Sequence, residues 1–140
     1  MNILASALAG AVILAGAPAM AQDYTPEQII QRHMDFGARN DAAAMAADYA
    51  DDGVILQAGR VIRGKPAILA YFTQLLGPAP ASPAKMDIRP VKISSDGDVG
   101  VVFWAMPSGP HGEDSFLVRH GRIQVQAVFL NASPEAPAKP

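Results

Sequence analysis

The chain contains no cysteine, so disulfide staples, thiol catalysis and thiolate metal sites are excluded, and stability has to come from packing. A basic excess is also missing. Lys and Arg number 11 against 13 Asp and Glu, a formal net charge of -2, which leaves no surface able to neutralise a run of phosphates. Nucleic acid is therefore not an expected partner. The three histidines, His33, His111 and His120, are scattered without metal-ligand spacing, and no metal is expected. At 140 residues the chain can build one domain around one core and is too short for two.

What is present begins with an apolar, small-residue stretch, MNILASALAGAVILAGAPAMA at residues 1–21. It has no Lys or Arg to form a positive front end, yet Ala19-Met20-Ala21 before Gln22 matches the pattern read by signal peptidase. The expectation is a signal peptide cleaved after Ala21, a periplasmic or secreted protein, and no stable membrane anchor after cleavage. Gly10, Gly16 and Pro18 argue against a spanning helix. The folded domain is then expected over 22–131, with a flexible tail at 132–140.

Thr25-Pro26-Glu27-Gln28 reads as a helix start with a capping box, and Ile29, Ile30, His33, Met34, Phe36 and Gly37 follow at helical spacing. Asn40 or Asp41 can cap a second, alanine-rich helix running through Tyr49, which Asp51-Asp52-Gly53 ends as a turn. VILQ at 54–57 and RVIR at 60–63 form a small hairpin about Ala58-Gly59. Gly64-Lys65-Pro66 opens a third helix with an apolar stripe at Ile68, Leu69, Phe72, Leu75 and Leu76, and Gly77 stops it. After a Pro/Ala loop at 77–85 the pattern turns to strands: 86–94, with Pro90 marking an edge or bulge, 99–106, then a loop at 107–113, and a final hairpin about Gly121. Helices first and longer strands after predict an α+β fold. Three N-terminal-half helices would pack on the concave face of a curved antiparallel sheet that encloses a pocket.

DYADDGVIL at 48–56, RGKPAILAYF at 63–72 and HGRIQVQAVF at 120–129, in that order and spacing, resemble the nuclear transport factor 2-like superfamily, in particular its SnoaL-like and ketosteroid isomerase-like members. The resemblance covers nearly all of the chain after residue 21. It implies the cone fold, and a function drawn from isomerases, cyclases, dehydratases, epoxide hydrolases and non-catalytic binders. In the isomerase-like branch a carboxylate base works with a tyrosine and a protonated carboxylic acid that hold the enolate oxygen. Aligned without gaps over the first two helices, His33 falls where those enzymes have the tyrosine and Gln57 where they have the base. An amide cannot take a proton from carbon, so steroid isomerisation of the familiar kind is not expected. Asp114 falls at the acid position if the turn before HGRI is one residue shorter, and Glu113 if it is not.

His33 is the candidate proton donor or acceptor, because histidine is the side chain whose unperturbed pKa lies near neutral pH. The alternative is a core histidine bonded to a backbone carbonyl. Asp114 is the candidate carboxylate that orients His33, against the alternative of an exposed acid at the start of a strand. Gln57 is expected to orient a ligand, and strand alternation points Phe116 and Val118 into the same cavity as Asp114. Trp104, the only tryptophan, is a candidate ligand wall, and alternation allows only one of Phe103 and Trp104 to face inward. Three functions follow: a binder of a small, largely apolar organic molecule; a cofactor-independent isomerase, cyclase or dehydratase with His33 as proton shuttle; or a dimerisation module. No cofactor is required by any of them. A homodimer is expected, paired through an exposed sheet face carrying Gln124 and Gln126 or Val128 and Leu130.

Overall fold

The computed structural model describes residues 24–77 and 87–130. The expected signal peptide, the Pro/Ala loop after Gly77 and the C-terminal tail lie outside these residues.

Helix α1 spans Pro26–Ala38. Its capping box forms as expected: Thr25 Oγ1 accepts from the Gln28 amide, and Gln28 Oε1 accepts from the Thr25 amide at 2.9 Å. Two first-turn donors thereby gain partners that the helix cannot supply. The buried face carries Ile29, Ile30, His33 and Met34. Helix α2 spans Ala42–Ala47, with Asp41 as its cap accepting from Ala44 N at 2.9 Å. Helix α3 spans Lys65–Leu76 and buries Ile68, Phe72 and Leu76. Its opening residue, Gly64, has φ of 82°, a left-handed geometry that suits glycine.

Six strands follow the helices or lie between them: β1 Tyr49–Gln57, β2 Arg60–Arg63, β3 Arg89–Asp96, β4 Val99–Ala105, β5 His111–Arg119 and β6 Arg122–Leu130. They form one sheet in the order β2-β1-β6-β5-β4-β3. The α+β architecture, the three helices and the curved open sheet are as the sequence predicts. Four ladders are antiparallel, and the pairing of β1 with β6 is parallel. This parallel ladder joins the early hairpin to the late meander. Helix α1 lies against β3, β4 and β5, whereas α3 lies against β1 and β2. The core between them is built from Ile29, Ile30, Tyr49, Ile55, Ile68, Phe72, Val102, Phe116 and Ile123.

Three local expectations change. The second helix does not reach Tyr49, which instead opens β1 and pairs with Ile123 of β6. Tertiary pairing and burial of a tyrosine outweigh the local alanine-rich propensity. Asp51-Asp52-Gly53 is accordingly no turn but part of β1, where the register shifts between Tyr49 and Val54. The loop expected over 107–113 is shorter, because β5 already begins at His111 and Gly112 pairs with both Trp104 and Leu130. Pro90 sits on the edge strand β3 beside a register shift, as its missing N–H demands.

Candidate active site

Side-chain alternation on the four central strands sends one set of residues toward the helices. On β1 these are Ile55 and Gln57; on β4, Val102 and Trp104; on β5, Asp114, Phe116 and Val118; on β6, Gln126 and Val128. Between this face and the helices lies a cavity of about 260 Å³, near the lower end of the range for small-molecule sites, about 300–1000 Å³. Its walls are mostly apolar, from Met34, Met45, Phe72, Leu75, Met106 and Val128 among others. The polar groups reaching it are His33, Gln57, Tyr71, Trp104, Asp114 and Gln126, and among the described residues no Lys or Arg lines it.

Of the residues singled out from sequence, His33, Gln57, Trp104 and Asp114 therefore border one cavity. Phe116 and Val118 face the same side of the sheet but pack in the core beside it, and do not line it. Trp104 is buried and inward-facing, which settles the choice between it and Phe103. Asp114 and not Glu113 is the inward acid, because Asp114 is buried whereas Glu113 pairs with Phe103 on the opposite face.

Two polar clusters stand on the sheet side. In the first, Trp104 Nε1 donates to Asp114 Oδ1 at 3.0 Å, Gln126 Nε2 donates to Asp114 Oδ2 at 2.8 Å, and the Tyr49 hydroxyl donates to Gln126 Oε1. Burial pushes the Asp114 carboxyl above its ordinary range, opposed by the hydrogen bonds from Trp104 and Gln126 and by nearby His33. Burial, with the Asp114 charge adding to it, also pushes the Tyr49 hydroxyl well above its ordinary value, so Tyr49 remains a donor. In the second cluster the Tyr71 hydroxyl donates to Gln57 Oε1 at 3.0 Å. That bond fixes the Gln57 amide and leaves its Nε2 to donate elsewhere.

His33 projects from α1 and is 1 % exposed. Edge-on contacts to Tyr49, Phe72 and Phe116, with ring centroids 5.6, 5.5 and 6.0 Å away, hold its plane. Neither ring nitrogen has a hydrogen-bond partner among the described residues. The expected orienting acid, Asp114, makes no hydrogen bond to it; the carboxylate closest to hand is Asp48, whose Oδ2 lies 3.4 Å from His33 Nδ1. Asp48 is itself gripped by Arg32, whose Nε and Nη2 donate to Oδ1 at 2.9 and 2.5 Å.

Asp48, Tyr49, Tyr71 and Gln126 escape the sequence reading for specific reasons. Asp48 and Tyr49 fall in what reads as a helix end, and Gln126 is displaced to the inner face by a bulge at Gln124, where Leu117 pairs with Val125 but Val118 with Ile123. Gln126, Val128 and Leu130, expected on an outer pairing face, consequently point inward with the cavity. Tyr71, one residue from the apolar stripe, gives no signal until Gln57 is opposite it. Among the described residues no three His, Asp or Glu side chains converge as metal ligands would.

The SnoaL-like domain profile matches residues 30–129, which spans every element of the cavity. The chain belongs to the SnoaL-like family. Solved structures with the same fold include an NTF-2 like protein of unknown function from Burkholderia xenovorans LB400, 17% identical over 79% of this chain and 85% of that one, TM-score 0.63. A protein described as a candidate polyketide cyclase from Sinorhizobium meliloti is 22% identical over 71% and 92%, TM-score 0.60. Another, described as a candidate ketosteroid isomerase from Kribbella flavida, is 15% identical over 81% and 82%, TM-score 0.62. At these identities the SnoaL-like chain shares their fold, and a fold of this breadth does not transfer chemistry. No curated protein matches the chain.

Proposed function

We propose that this SnoaL-like protein binds a small, neutral, largely apolar organic molecule in the cavity under the sheet, oriented by His33, Gln57 and Asp114. The observation that carries the reading is a buried imidazole bordering an apolar hollow, whose Nε2 has no hydrogen-bond partner among the described residues while Nδ1 faces the Asp48 carboxylate. Buried polar atoms of a native fold are nearly always paired, and a ligand supplies the missing partner. Neutrality of the ligand is supported by the walls: with no Lys or Arg among the described lining residues and a buried carboxyl there, an anionic group would enter unpaired. The test is native mass spectrometry and a thermal-shift screen of uncharged aromatic and alicyclic compounds on the full chain and on a folded His33→Ala variant. Expected is at least one compound that raises the melting temperature of the parent and loses tenfold or more in affinity for the variant. A screen in which no such compound stabilises the parent refutes the reading.

A second reading adds proton transfer without a cofactor: isomerisation, cyclisation or dehydration. It is favoured by the carboxylate of Asp48 standing beside His33, since an imidazole backed by a carboxylate is suited to take a proton and return it to the same molecule. Gln57 Nε2 would then donate to the substrate oxygen on which charge develops. If a substrate is found and His33→Ala turns it over at the parent rate, this second reading fails while binding stands.

The chain is also proposed to pair with a second copy through the outer face of the sheet. Val61, Leu56, Ala127 and Phe129 adjoin there across β2, β1 and β6, with Val61 63%, Phe129 55% and Leu56 41% exposed. Contiguous exposed apolar surface of this kind marks an association site.

A further inference from the structure

We infer that Asp48 is the positioning residue of the site: held by Arg32, it fixes His33 in the tautomer that carries its proton on Nδ1 and leaves Nε2 as a bare acceptor. The inference deepens the reading above and rests on His33 being the polar centre of the cavity.

The argument is one of donor and acceptor counting. Arg32 directs two N–H groups at Asp48 Oδ1, at 2.9 and 2.5 Å, so that oxygen is committed. Asp48 Oδ2 is buried and has no hydrogen-bond partner among the described residues, and the same holds for His33 Nδ1, 3.4 Å away. Each is the other's available partner. A carboxylate oxygen can only accept, so the nitrogen facing it must be the donor. A small rotation of either group aligns the pair. The proton is then on Nδ1, and the lone pair is on Nε2. A ligand group meeting Nε2 must therefore offer a hydrogen: a hydroxyl, or an acidic C–H in the catalytic reading. Gln57 Nε2, left free by Tyr71, offers one in return. The recognised molecule thus presents a donor and an acceptor on an otherwise apolar frame.

Asp48 is set apart from a merely structural acid by what an isosteric amide would do. In Asp48→Asn the single oxygen is claimed by Arg32, which has nothing but donors to give. The new NH2 group then faces His33 Nδ1 and forces that nitrogen to accept, which moves the proton to Nε2. The same substitution of an orienting acid is known to leave geometry intact and put a catalytic histidine in the wrong tautomer.

The experiment is long-range proton–nitrogen correlation NMR of the His33 ring in the full chain without ligand, at about pH 8 where an ordinary imidazole is neutral. The parent protein is expected to show Nδ1 protonated and Nε2 bare. Asp48→Asn is expected to reverse the two, whereas Arg32→Gln, which leaves the carboxylate in place, and Asp114→Asn are expected to keep the parent pattern. A parent ring protonated on Nε2, an unchanged ring in Asp48→Asn, or a reversal in Asp114→Asn would overturn the assignment. Should Asp48→Asn fail to fold, the parent and Asp114→Asn spectra still decide it. The measurement uses no ligand, so failure to find one leaves this result intact, and a wrong tautomer leaves ligand binding intact.

Discussion

Asp114 illustrates how a single residue's surroundings set its chemistry. It directly follows the stretch 107–113, which reads as a solvent-facing loop, yet its side chain is buried and receives hydrogen bonds from Trp104 and Gln126. Burial raises its pKa in the folded state above the ordinary aspartate value. Between those two values the folded protein therefore binds more protons than the unfolded chain, and stability falls as pH rises through that window. Asp114→Asn removes this dependence. Its amide can keep the network, with oxygen to Trp104 and NH2 to a flipped Gln126, whose own NH2 then donates to the Tyr49 hydroxyl oxygen. Denaturant unfolding near pH 4 and pH 7 should show the parent losing stability relative to the variant, with a slope of at most about 1.4 kcal/mol per pH unit. A constant gap between the two would show that Asp114 titrates as an ordinary exposed acid. At this scale the sequence points to His33, Gln57 and Asp114 through their places in the family resemblance, and to Trp104 through strand spacing. Asp48 and Gln126 stay hidden, because both depend on where a strand starts or bulges.

At the scale of elements, two irregularities shape the cavity wall. The bulge at Gln124 reverses the facing of β6 between Ile123 and Gln126, so both point inward although three positions apart. Without it, strict alternation would turn Gln126 out to the far face. The second irregularity is Gly112, where a Cβ would lie 2.4 Å from the Phe129 carbonyl oxygen and 2.4 Å from Trp104 Cζ2. The missing side chain lets the indole come close to the β5 backbone at Gly112 while its Nε1 reaches Asp114. Gly112→Ala should therefore cost about 1–3 kcal/mol, and should alter the fluorescence of Trp104, the only tryptophan. Unfolding monitored by that fluorescence tests both, and parent-like stability with an unchanged emission maximum would mean that the close approach is not what holds the indole. Read from sequence, Gly112 is loop chemistry; only the ladders to β4 and β6 make it a packing requirement.

At the scale of the whole molecule the sheet has two unlike faces. The inner one carries the site, while the outer one presents Leu56, Val61, Val99 and Phe129 to solvent. A face of this composition is expected to pair two copies, and light scattering should report a dimer at micromolar concentration. Phe129→Glu places a charge in the middle of that face without touching the cavity, and should yield a folded monomer. A parent chain that scatters as a monomer at high concentration would remove the dimer. Alternation sends the two sets of side chains to opposite faces, so the monomeric variant should retain the ligand affinity of the parent unless the pair closes the cavity mouth.

Local patterning determined the element types, the capping box of α1, the hairpin about Ala58-Gly59 and the α+β class, because caps, turns and hydrophobic periods act over a few residues. The parallel ladder between β1 and β6, the partner of His33 and the inward turn of Gln126 were decided by tertiary structure alone. Each depends on strands far apart in the chain meeting in one register, and a shift of one residue there exchanges what faces the cavity for what faces water.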